Sequence, residues 1–264
     1  MNANIFAATA ICAYLCSTTL IIRPLSQDKS KSYTLACASV AVFFHTLYIS
    51  LIVLQNLGFN FSFFSMASLV SLIVVLLLLL ATFSKPVENL GIFLFPLTAL
   101  MLALDVFFPE KQRSLDTHSW QMHTHILSSV VAFSLLNIAA IQAILLVIQN
   151  QQLKSHPPKH YIQSLPPLES MESLLFQMIA AGVVFLSISL ASGFIFLEDI
   201  FAQHLAHKTI FSIAAWLIFT GLLIGRIRYG WRGHTAIKWT LLGFLFLLLA
   251  YFGSKMVLEL ILHR

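Results

Sequence analysis

The chain has 264 residues, of which 59% are hydrophobic and 9% charged (15 Lys+Arg, 10 Asp+Glu), with a mean hydropathy of +0.89. Soluble domains carry about 25% charge; so little of it cannot cover a water-exposed globule, which excludes a cytosolic enzyme, a disordered chain and a nucleic-acid binder. The formal charge of +5 then reads as an orientation signal rather than as attraction to an anionic partner.

A bilayer-crossing helix needs about 20 mostly apolar residues. Eight such runs follow one another at about 4–22, 33–54, 64–83, 90–108, 123–149, 173–197, 207–228 and 236–262. The first has no cation in its leader, Met1-Asn2-Ala3-Asn4, and is followed by Arg23, Lys29 and Lys31, so it reads as an anchor and not a cleavable signal. The third is the plainest, with Val74-Val75 running into five leucines, Leu76 to Leu80. The fifth extends past the lipid through Gln142, Gln149 and Gln151-Gln152. Strand-type alternation is absent, so a β-barrel is excluded. The fold class is an all-α, polytopic membrane helix bundle with eight transmembrane helices.

The connections after odd-numbered helices hold Arg23, Lys29, Lys31, Lys85, Lys154, Lys159, Arg226, Arg228, Arg232 and Lys238; Lys111, Arg113, Lys208, Lys255 and Arg264 lie elsewhere. The positive-inside rule puts the odd connections in the cytoplasm and both termini on the outer (periplasmic) side. The connection at about 150–172 carries His156-Pro157-Pro158 and Leu165-Pro166-Pro167, a stiff linker between five helices and three. No soluble domain interrupts the chain, so residues 1–264 are expected to form a single integral membrane domain. Cys12, Cys16 and Cys37 lie in apolar runs without a C-x-x-C pair, which argues against a disulfide framework, a zinc knuckle or covalent haem attachment.

Ten histidines stand out against so few charges. His118, His123, His125, His204, His207 and His263 fall on the outer side or at outer helix ends, and His156, His160 and His234 on the cytoplasmic side. His45 lies within a span, nine residues before Leu54 and roughly 13 Å below the outer end of its helix. A titratable residue at that depth is a functional-site candidate, the alternative being an interhelical hydrogen bond to a Ser, Thr or carbonyl. In His123-Thr124-His125 the two rings point to different faces, so one of them faces the bundle. His204 and His207 share a face at the start of the seventh helix. Imidazole is the commonest metal ligand, and two facing imidazoles hold a haem iron inside a helix bundle. Among the acids, Lys255 and Glu259 can pair along the last helix, Asp105 can snorkel or accept from an outer histidine, and Glu198-Asp199 cap the sixth helix. Arg226, Arg228 and Arg232 with Tyr229 and Trp231 read as an interfacial anchor, and Gly230-Trp231-Arg232-Gly233 as a tight turn.

Two segments carry a resemblance: His118-Ser119-Trp120-Gln121 through Gln152-Leu153, and Gly193-Phe194-Ile195-Phe196-Leu197-Glu198-Asp199-Ile200-Phe201-Ala202-Gln203-His204 through Glu259-Leu260. They resemble the bacterial cytochrome c assembly family, the CcsA/HemX-like proteins, and the likeness extends over nearly the whole chain in length and span count. The resemblance implies a multi-pass protein of the bacterial inner (plasma) membrane that holds, moves or presents haem beside other membrane proteins of cytochrome assembly. His125 matches the family's external histidine, and Gly230-Trp231-Arg232-Gly233 and Tyr251-Phe252-Gly253 match family landmarks. The tryptophan-rich haem segment is replaced by Phe201-Ala202-Gln203-His204-Leu205-Ala206-His207-Lys208, the family's next intramembrane histidine falls at about Ile224-Gly225, and the terminal motif is reduced to Leu262-His263-Arg264. Much of the apparatus for presenting haem to an apocytochrome is therefore missing.

The leading expectation is a non-enzymatic, haem-handling membrane protein with bis-histidine ligation near the outer leaflet, through His45, His125 and His207, with His204 as a substitute. The alternative is a divalent-metal protein or regulatory subunit of a cation transport system, adding His123, Glu198 and Asp199 as ligands. A scaffold that binds no cofactor is the third reading. No phosphate loop, Ser-His-Asp set, H-E-x-x-H or facing carboxylate pair argues for catalysis.

Overall fold

The computed structural model describes residues 3–22, 27–55, 62–83, 87–108, 120–154, 167–196 and 203–253. The expected helices are there: α1 (Ala3–Ile22), α2 (Gln27–Gln55), α3 (Phe63–Thr82), α4 (Gly91–Phe107), α5 (Trp120–Lys154), α6 (Leu168–Phe196), α7 (Gln203–Tyr229) and α8 (Gly233–Leu248). A 3₁₀ turn, Glu88–Leu90, leads into α4, and a π-helical turn, Leu249–Gly253, ends α8. All eight are long and apolar enough to cross a membrane, and no strand occurs among the described residues. His118, Glu198, Asp199, His156, His160, His263, Lys255 and Glu259 lie outside the described residues.

Contacts divide the chain into two compact units, Met1–Asp116 and Thr117–Arg264. The sequence placed the division at the proline-rich connection, with α5 on the N-terminal side. The structure places α5 with α6, because those two helices carry matching seams.

In the first unit α1 packs along α2 and α4, and α3 along α4. Hydrophobicity cannot say which face of such a helix turns inward, since lipid is as apolar as the core; residue size can. The buried residues of α1 include Ala3, Ala7, Ala10, Tyr14 and Ser17, and those of α2 include Thr34, Ala38, Ala41, His45 and Tyr48. Both sets follow a heptad, and their small side chains let the two backbones approach. The large residues Ile5, Leu15, Val40 and Phe43 point outward. The Tyr14 ring stacks on Phe95 at 6.2 Å, and Lys31 pairs with Glu88 at 3.1 Å. Pro96 sits inside α4, as transmembrane helices tolerate.

In the second unit α5 and α6 form the broadest contact, and α7 and α8 pack on each other. The seam of α5 is His125, Ser129, Ala132, Leu136, Ala139, Ala143 and Leu146, stepping by three or four; that of α6 is Met171, Leu175, Ile179, Gly182, Leu186 and Ser189. Gly182 lies under Leu136, where a Cβ would collide with its side chain. The pair is antiparallel: Gln142 Nε2 near the C-terminal part of α5 donates to the Met171 carbonyl (3.1 Å), while His125 near the start of α5 reaches Ser189 and Ser192 near the end of α6. The α7–α8 reversal uses Gly230 (φ 65°) and Gly233 (φ 55°), the left-handed conformations expected of that turn.

Candidate functional site

The two described intramembrane histidines have different surroundings. His45 is completely buried in the first unit. Its Nδ1 meets the Tyr14 hydroxyl at 3.3 Å and its Nε2 the Ser68 hydroxyl at 3.0 Å. One ring nitrogen donates and the other accepts, so both are occupied and the ring ties α2 to α1 and α3. This is the interhelical bond that the sequence left open as the alternative to ligation.

His125 lies on the α6-facing seam of α5, half-buried. Its Nδ1 is 2.9 Å from the Ser189 carbonyl oxygen and 3.2 Å from Ser192 Oγ. A carbonyl only accepts, so Nδ1 carries the proton and donates it. Nε2 keeps its lone pair and has no partner among the described residues. A ligating histidine is commonly held in this way, its second ring N–H on a backbone carbonyl fixing both tautomer and ring plane.

Serines build the collar around this ring. Ser192 Oγ donates to the same Ser189 carbonyl (2.9 Å), Ser129 Oγ to the His125 carbonyl (2.5 Å), and the Ser129 and Ser189 hydroxyls share a hydrogen bond (2.5 Å). Tyr251, in the π turn after α8, packs on Phe133 at 4.7 Å. Phe133 also meets Phe244 and Phe252 at 5.7 and 5.5 Å. An aromatic wall thus flanks α5 about two turns below His125, and π turns often mark functional sites. Sequence reasoning missed Ser129, Ser189, Ser192 and Tyr251 as site residues. The available signal was the run of serines at 187, 189 and 192 in the otherwise apolar second half of α6, which has little use unless something across the seam bonds to it.

The remaining candidates sort by position. His204 and His207 are in the first turns of α7, and His123 is in the first turn of α5; their side chains are not described. α5 and α6 run antiparallel and α7 begins shortly after α6 ends, so His204 and His207 fall at the same end of the second unit as His125. Among the described residues, no three His, Cys, Asp or Glu side chains are placed to hold a metal ion. Asp105, expected to snorkel or to bond a histidine, accepts instead from Ser65 Oγ at 2.8 Å. It lines a small cleft with Tyr48, Ile49, Ile52, Val53, Ser65 and Leu69, with room for water rather than a porphyrin. His234 is exposed.

Comparisons with known proteins agree with this architecture. The cytochrome c assembly protein family matches residues 33–262. The chain is 31% identical to the inner membrane protein YpjD of Escherichia coli K12 over 265 residues, covering 97% of this chain and 99% of that one. It is 33% identical to an uncharacterised 28.8 kDa protein of Azospirillum brasilense over 140 residues, 52% of each chain. It is 25% identical to the cytochrome c biogenesis protein CcsA of Chlamydomonas reinhardtii over 195 residues, 69% of this chain and 53% of the relative. No solved structure matches. Eight spans and the full-length likeness to an inner membrane protein make this chain a multi-pass protein of the inner membrane.

Proposed function

The chain belongs to the cytochrome c assembly protein family, and from that premise we propose that it handles haem within the inner membrane, with His125 Nε2 as the nitrogen that would hold the iron and without bond-making chemistry of its own. The observation that carries the reading is the oriented imidazole: Nδ1–H held on the Ser189 carbonyl at 2.9 Å, Nε2 open. That donor set fits a haem iron, for which a neutral imidazole nitrogen is a standard ligand.

A second imidazole would come from His207 or His204 in the first turns of α7, at the same end of the unit; bis-imidazole ligation would give a bound haem a redox-active iron. The protein's own residues do the rest. The Ser189 carbonyl and Ser192 hydroxyl hold the ring plane, and Phe133, Phe244 and Phe252 supply an apolar surface. The positive-inside distribution supports placing His125 toward the periplasmic side. His45 is not assigned as a ligand, because coordination at either nitrogen would strip a hydrogen bond from a fully buried Tyr14 or Ser68.

The test is the absorption spectrum of protein purified from haem-replete cells. A Soret band is expected, lost or much weakened in His125→Ala and weakened in His207→Ala or in the His204→Ala/His207→Ala pair. Ser192→Ala should keep the band, since the Ser189 carbonyl remains. Wild-type protein without haem absorbance overturns the reading.

A further inference from the structure

We propose that the end of the second unit formed by the start of α6, the end of α7 and the start of α8 binds the phosphate headgroup of an anionic glycerophospholipid. The argument begins with the ion pairs. Arg226 Nη1 lies 2.9 Å from Glu172 Oε1, and its guanidinium stands over the Phe176 ring at 4.7 Å. Arg232 reaches Glu172 at 3.4 Å and Glu169 at 3.5 Å. The two carboxylates are thus taken by two arginines. Arg228 and Lys238, both exposed, have no ion-pair partner among the described residues. This end therefore keeps an excess of positive charge.

Beside the cations stands a stack of aromatic rings. Trp231 lies 6.4 Å from Tyr229 and 6.0 Å from Trp239, the two indoles tilted by 14°. The stack is held rigidly: Trp231 N–H donates to the Gly225 carbonyl (3.2 Å), its carbonyl accepts from Arg226 (3.3 Å), and its ring lies where a Cβ on Gly225 would be. Tyr229 is 71% exposed and Trp239 37%, so the outer rings present amphipathic faces at the ends of two membrane spans. Arg228 adjoins Tyr229 in the chain, and Lys238 adjoins Trp239.

The occupant has to bring negative charge and an apolar body to the same place. Tyr and Trp at span ends sit at headgroup level, and Ile227 beside them is 84% exposed. An acidic peptide would satisfy the cations but brings no acyl chains to lie along these rings and Ile227, which face the bilayer. An anionic lipid satisfies both, its phosphate on Arg228 and Lys238 and its acyl chains along Ile227 and the rings.

Delipidated protein in phosphatidylcholine nanodiscs, titrated with phosphatidylglycerol, provides the test. Phosphatidylglycerol should raise the wild-type Tm saturably. Arg228→Gln/Lys238→Gln should bind about 25-fold more weakly, at roughly fivefold per cation near the membrane surface, while Lys31→Gln in the first unit matches wild type. A wild-type protein with no shift, a double variant with an unchanged one, or an equal shift from inorganic phosphate overturns the proposal. Tryptophan quenching read on the wild-type protein alone is independent of how the variants fold: brominated phosphatidylglycerol should quench more than brominated phosphatidylcholine, and equal quenching also overturns it.

Discussion

An imidazole has two nitrogens, and what each one meets decides the chemistry left to the ring. His45 spends both on Tyr14 and Ser68, so its value is structural. Truncating it leaves two fully buried hydroxyls without partners, at a cost of about 1–3 kcal/mol. His45→Ala is expected to lower the thermal midpoint of the purified protein while keeping the Soret band per folded molecule. Retained stability with lost haem would make His45 a ligand after all. At His125 one nitrogen is committed and the other has no partner among the described residues, which predicts the opposite pattern: His125→Ala loses the haem band with a small change in midpoint, since the ring is half-buried. Each histidine was recognisable in the sequence as a candidate. Their division of roles was not, because it depends on Tyr14 and Ser68 reaching one ring from two other helices and on a backbone carbonyl reaching the other.

At the scale of elements, small residues decide which faces meet. Gly225 lets the Trp231 indole lie on the α7 backbone. Adding a methyl there forces the ring out of its stack, and Gly225→Ala is expected to cost about 1–3 kcal/mol as an overpacked site, read as a lower thermal midpoint and a red-shifted tryptophan emission. Unchanged emission would mean that the ring stays in place. The α6–α7–α8 ion pairs separate two neighbouring acids by burial. Glu172 is 13% exposed and bonds both Arg226 and Arg232, whereas Glu169 is 85% exposed and meets Arg232 alone. Glu172→Gln is expected to destabilise by about 2 kcal/mol and Glu169→Gln by less than about 0.5 kcal/mol, in parallel denaturation curves. Equal effects would show that burial does not set the value of these pairs. The sequence reading took these arginines as an interfacial anchor; Glu172 claims two of them because α6 begins at the end where α7 stops.

For the whole molecule, the distribution of Lys and Arg predicts both termini on the periplasmic side. In a cysteine-free background, a single cysteine after Arg264 should react with an impermeant maleimide in intact cells. One in the 150–172 connection should react only after the inner membrane is opened. The reverse pattern would invert the protein and move His125 toward the cytoplasm. The two compact units, Met1–Asp116 and Thr117–Arg264, each have their own seams of small residues and their own interhelical histidine contacts.

Length and apolar runs were enough to give eight helices and their approximate bounds, because a span must satisfy its backbone internally and needs about 20 apolar residues to cross. Glycines 230 and 233 were enough to give the last reversal, because positive φ excludes most other residues there. Partnership was different. In a chain this apolar every face is hydrophobic, so periodicity does not identify the buried one, and only the packed bundle showed that α5 belongs with α6. The same packing closed both nitrogens of His45 and left His125 Nε2 without a partner among the described residues, since a side chain's remaining valence depends on neighbours that lie tens of residues away in the chain.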